Sequence, residues 1–98
     1  MGGHHRRALH FNALVDDSRQ KLTQRLAIYM GMERYDLAAS LLPLFESQPW
    51  LEDGLRYQLA YACYATGRGE QLAMLANAIE DEWLSEGVVE LMEALERP

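Results

Sequence analysis

The sequence predicts an all-α fold of antiparallel helical hairpins, and three observations carry that expectation. Apolar residues recur at helical spacing, as in Leu22, Leu26 and Tyr29 or Val88, Leu91, Met92 and Leu95. A self-similarity at an offset of about 34 residues lays one helix pair over the next. Val and Ile are scarce and period-two alternation is absent, so no strand is predicted.

The elements follow in order. Residues 1–7, Met-Gly-Gly-His-His-Arg-Arg, are predicted to be a flexible tail, partly an expression remnant, ahead of one helical domain over 8–98. Ala8, Phe11 and Val15, with Leu14 alongside, have helix spacing. Asp17 and Gln20 then resemble a capping box, in which each side chain satisfies an orphan backbone N–H. A long helix is expected over residues 18–31, with Leu22, Leu26, Tyr29 and Met30 inward and Arg19, Lys21 and Arg25 toward water. After a turn at residues 31–34, Tyr35-Asp36 opens a second helix whose buried stripe is Leu37, Ala38, Leu41, Leu42 and Phe45. Pro43 removes one of its backbone bonds, so a kink or early end is expected there.

A third helix is expected from Trp50 or Leu51 to Thr66, closed by Gly67 in a left-handed cap, with Glu52 and Asp53 in its first turn. It is apolar on two sides: Leu55, Leu59, Ala62 and Cys63 on one, Tyr57, Tyr61 and Tyr64 on the other. Such a helix needs cover on both sides, which makes it central. A fourth helix begins near Gly69-Glu70 and carries Leu72, Leu75, Ala76 and Ile79. A fifth, over residues 86–96, has the single narrow stripe of a helix that caps a stack.

Composition narrows the function. Ninety-eight residues make one domain, 49% apolar and 24% charged, in the range of soluble globular proteins. No apolar run is long enough to span a membrane, and no apolar stretch follows the N-terminal basic residues as in a secretory signal. The lone cysteine has no intrachain partner, which suggests a reducing cytoplasm. Residues 1–34 hold six Lys/Arg against three acids, a balance of +3, whereas residues 35–98 hold three against twelve, a balance of −9. That acidic majority repels a phosphate backbone, so no nucleic-acid partner is expected.

The repeat aligns Leu26 with Ala60, Tyr29 with Cys63, Arg34 with Arg68, Asp36 with Glu70 and Leu41 with Leu75. Leu22, Leu26, Tyr29, Tyr35, Ala38, Leu42 and Phe45 resemble a tetratricopeptide repeat (TPR), in which small and bulky residues alternate so that paired helices sit close. The second copy runs from Arg56 through Ala60, Cys63, Gly67, Leu72, Ala76 and Ile79. Both depart from the motif at its eighth position, where Leu26 and Ala60 replace glycine. Two degenerate repeats and a terminal helix are fewer than the three repeats a self-sufficient stack needs, and a dedicated partner is the physical remedy. First helices line the concave side of such a stack, so Tyr29, Met30, Tyr57, Tyr61 and Tyr64 are the candidate groove.

Leu26 to Ala39 (Leu-Ala-Ile-Tyr-Met-Gly-Met-Glu-Arg-Tyr-Asp-Leu-Ala-Ala) and Trp50 to Leu75 are similar to the YscG/PscG-type chaperones of bacterial type III secretion. The resemblance spans residues 20–96, and this N-terminal segment is shorter than the family's. It implies a cytoplasmic hetero-oligomer in which the chain holds the C-terminal amphipathic helix of a needle subunit and prevents premature polymerisation. It also implies a small helical co-chaperone over Phe11, Leu14, Val15 and Leu22. A TPR-like interaction or oligomerisation module without a secretion role is the alternative.

Sharper chemistry finds little support. His4, His5 and His10 are possible metal ligands, but no cysteine or well-placed carboxylate accompanies them. Asp16-Asp17 and Glu80-Asp81-Glu82 read as solvated helix ends, since catalytic carboxylates need unlike environments. Cys63 reads as a packed thiol, and Gly67-Arg68-Gly69 as a helix–helix turn instead of a phosphate loop. Trp50 and Trp83 are expected to pack at helix junctions, with a role as an interface anchor the alternative for either. The tyrosine side of the third helix is divided between core and groove. No catalytic, cofactor or metal residue is predicted.

Overall fold

In the computed structural model, which describes residues 18–97, helices form where the apolar stripes lie, and the chain divides after Trp50 into two compact units. The first holds α1 (Ser18–Gly31), α2 (Tyr35–Ser40) and α3 (Leu42–Glu46). The second holds α4 (Asp53–Ala65), α5 (Gly69–Ala78) and α6 (Glu82–Glu96). The described residues are all-helical, with no strand among them.

The self-similarity is present in the backbone, bond for bond, at the two helix–helix turns. At the end of α1, Arg34 N–H donates to the Tyr29 carbonyl (2.9 Å) and Glu33 N–H to the Met30 carbonyl (3.1 Å). At the end of α4, Arg68 N–H donates to the Cys63 carbonyl (2.8 Å) and Gly67 N–H to the Tyr64 carbonyl (3.1 Å). Both are Schellman motifs, which satisfy orphan carbonyls and need a left-handed residue at their corner. Gly67 takes that role at φ 71°. In the first turn it is Glu33, at φ 58°, because Gly31 lies inside the last turn of α1. The next helices start alike, from Arg34 at φ −91°, ψ 70° and Arg68 at φ −91°, ψ 73°.

Burial follows the same register at four pairs and departs from it at others, Ala39 and Leu42 being buried where Ala73 and Ala76 are half-buried. Leu26 and Ala60, Ala38 and Leu72, Leu41 and Leu75, and Phe45 and Ile79 are all buried. In the first unit, Leu26 of α1 joins Ala38, Ala39, Leu41, Leu42 and Phe45 in the core. Trp50 meets Phe45 edge-on at 5.8 Å, and the Arg19 guanidinium lies 5.7 Å from the Trp50 ring. The helix expected to bend at Pro43 is interrupted at Leu41, so that Pro43 falls in the first turn of α3. A proline is tolerated there because its missing N–H has no intrahelical partner to lose. Helical bonding resumes with Phe45 N–H to the Leu41 carbonyl at 3.1 Å.

In the second unit α4 packs against both α5 and α6, with Leu55, Leu59, Ala60, Ala62 and Cys63 buried. Two boundaries differ from the sequence expectation. α4 starts at Asp53, not Trp50 or Leu51, since Glu52 is extended (φ −115°, ψ 164°) and Trp50 is engaged with Phe45. α6 starts at Glu82, not Glu86. Asp81 caps it, its carboxylate accepting the Leu84 N–H at 3.0 Å, so the acidic stretch is a helix start. Trp83 therefore stands in the first turn of α6 and is 83% exposed, against the expectation that it packs at a junction. Val88 is the buried centre of α6, flanked by half-buried Leu84, Leu91, Met92 and Leu95. No helix among the described residues is long and apolar enough to cross a membrane.

Candidate functional site

Asp53 positions the surface between α4 and α6. Its carboxylate accepts the backbone N–H of Glu80 (3.2 Å) and of Asp81 (3.0 Å), and the Arg56 guanidinium at 2.8 Å. These bonds tie the loop before α6 to the first turn of α4. They also hold the Asp53 carboxyl below the usual carboxylate range, with the Asp81 N–H as the largest cause and Arg56 and Glu80 adding to it. With both helix starts tied, Trp83 and Tyr57 face one depression.

That depression has a volume of about 480 Å³ and is lined by Tyr57, Trp83, Leu84, Glu86, Gly87 and Glu90. Gly87 permits its shape. A Cβ built on Gly87 would meet Tyr57 Cε2 at 2.9 Å, closer than carbon atoms pack. The bare helix backbone thus lets the tyrosine ring lie against α6. Glu86 and Glu90 also line a second depression of about 350 Å³, together with Ser85, Val89 and Glu93. The lining offers aromatic area, the aliphatic side chain of Leu84 and negative charge. Among the described residues, no group of three or more His, Cys, Asp or Glu is placed to hold a metal ion.

Comparison with protein-family models, curated proteins and solved structures finds no match. The surface is therefore interpreted from its own residues.

Of the predicted groove, the structure brings together only part. Tyr61 and Tyr64 form a tilted pair with centroids 6.0 Å apart, Tyr61 being 38% exposed and Tyr64 half-buried. Tyr57 is half-buried and belongs to the α4–α6 depression. Tyr29 and Met30 are half-buried at the end of α1, in the first unit, where their carbonyls serve the Schellman turn. Of the second-partner surface, Leu22 is half-buried, while Phe11, Leu14 and Val15 lie outside the described residues, as do His4, His5, His10 and the Asp17 capping box. Cys63 is buried in α4.

Sequence reasoning did not single out Glu86, Gly87 and Glu90, and it read Trp83 first as a packed residue, with an interface anchor as the alternative. One signal was available. A glycine inside an otherwise helical pattern marks a close approach, and Gly87 lies four residues beyond Trp83, on the same helix face.

Proposed function

We propose that this chain is a helix-binding chaperone or adaptor, and that the α4–α6 face receives an amphipathic helix of a partner protein. The observation that carries this reading is Trp83, a large aromatic residue left 83% exposed beside half-buried Tyr57 at the edge of a depression. Tryptophan and tyrosine are the side chains most often found as interface anchors, because they supply broad, stiff contact area. Helix-in-groove recognition uses such anchors at one-turn spacing. On the same helix as Tyr57, Tyr61 and half-buried Tyr64 form a further aromatic pair.

The resemblance of Leu26 to Ala39 and Trp50 to Leu75 to the type III secretion chaperones supports a specific partner, a needle subunit held unpolymerised in the cytoplasm. A small helical co-chaperone over the N-terminal apolar residues completes that reading. The test is to mix the purified chain with a type III needle subunit and follow its polymerisation by sedimentation. Suppressed polymerisation with the wild-type chain, restored by Trp83→Ala or Tyr57→Ala, is the expected outcome. Unimpeded polymerisation rules out the needle role and leaves a helix-binding module without a secretion function.

A further inference from the structure

The face that Trp83 opens is charged on one side only. Glu86 and Glu90 are shared by the two depressions of α6, and Glu93 continues their line by one more turn. All three are exposed, and among the described residues no Lys or Arg forms an ion pair with them. The nearest arginine in sequence to the start of α4, Arg56, is engaged with Asp53. Exposed Val89 lines the second depression with the three glutamates. From Trp83 to Glu93 this strip runs about 15 Å along α6 at the helical rise. An apolar helix without charge would cover Trp83 and Val89 while stripping water from carboxylates that it cannot pair, which is unfavourable.

We infer that the occupant of this face is a basic amphipathic helix, which sets an apolar residue against Trp83 and Tyr57 and Lys or Arg side chains against Glu86, Glu90 and Glu93. The inference rests on the helix-binding reading above and adds the partner's charge to it. Residues at i, i+4 and i+7 share one helix face, so cations at that spacing on the partner meet the same spacing of glutamates. The acids steer approach and select the partner, while the aromatic pair supplies the anchor. Acidic helices are excluded by like charge.

The probes are three synthetic amphipathic peptides of about 18 residues, long enough to span the strip. They share one leucine-rich face and carry Lys, Gln or Glu at the flanking positions. Binding to the full chain is measured by isothermal titration. The Lys peptide is expected to bind about tenfold more tightly than the Gln peptide, because three exposed ion pairs are individually weak but add. Its affinity falls as NaCl is raised from about 50 to about 500 mM. Trp83→Ala weakens all binding. E86Q/E90Q/E93Q removes the Lys preference and the salt dependence without loss of fold, since all three side chains are exposed. Equal binding of the Lys and Gln peptides, still lost in Trp83→Ala, overturns the basic-partner inference and leaves helix binding standing. No binding by any peptide overturns both at this face.

Discussion

Glu33 and Gly67 occupy the same left-handed corner of two equivalent turns, at φ 58° and φ 71°. The corner favours glycine, because a Cβ in the left-handed region crowds the following carbonyl, costing an L-residue about 1–2 kcal/mol. Part of that is offset by the larger chain entropy glycine loses on folding. Glu33→Gly is therefore expected to stabilise the chain by about 0.5–1 kcal/mol, and Gly67→Ala to destabilise it by about 1 kcal/mol. Nothing lies within 4 Å of a Cβ at Gly67, so the second effect is purely conformational. Urea unfolding measures both, and a Glu33→Gly variant no more stable than the parent refutes the strain.

The contact of Tyr57 with Gly87 gives a prediction whose sign depends on background. Alanine at Gly87 gains about 0.8–1 kcal/mol of helix propensity but pushes the tyrosine ring away, so the net change is small. Valine at the same position cannot be accommodated by a small ring shift and is expected to destabilise by about 1–3 kcal/mol. In a Tyr57→Ala background the obstacle is gone, and Gly87→Ala becomes stabilising by about 0.5–1 kcal/mol. A double-mutant cycle by chemical denaturation decides it. Identical effects of Gly87→Ala in both backgrounds would mean that ring and glycine do not touch.

Acid should act on the link between α4 and the start of α6. The Asp53 carboxyl is held below its ordinary pKa by the Asp81 N–H, Arg56 and the Glu80 N–H. Asp36 is also lowered, chiefly by the Arg34 side chain. A depressed folded-state pKa contributes stability that is present in full above the unfolded value, about 3.9 for Asp. That stability is lost as pH falls through the lower folded value. Thermal midpoints should therefore be flat in this respect above about pH 5 and fall below about pH 4. Asp53→Asn lowers the midpoint at neutral pH and makes the acid decline shallower. An unchanged acid limb in that variant would remove Asp53 from the link.

Much of the fold was legible because helical order is local. The stripe Leu22, Leu26, Tyr29 marks α1, Gly67 marks the end of α4, and Pro43 marks the weak point before α3. The buried set Leu26, Ala38, Leu42, Phe45, Leu59, Leu72 and Val88 follows from spacing alone, since side chains three or four residues apart share a face. The start of α6 was harder to see. By sequence Glu80-Asp81-Glu82 reads as a solvated helix end ahead of a helix beginning near Glu86, whereas the Asp53 carboxylate, 28 residues before Asp81 in sequence, engages the loop that leads into a helix starting at Glu82.

The candidate site was less legible. Tyr57, Tyr61 and Tyr64 share one side of α4 by spacing, yet they meet different surroundings: Tyr57 lies on Gly87, while Tyr61 pairs with Tyr64. Spacing places a residue on a helix face but is silent on what covers that face. Periodicity along the chain reports bonds between near neighbours, and so it reveals the helices and their apolar sides. Whether Trp83 is core or surface depends on contacts between distant segments, where packing density and close approach, not local propensity, choose which aromatic residues stay in water.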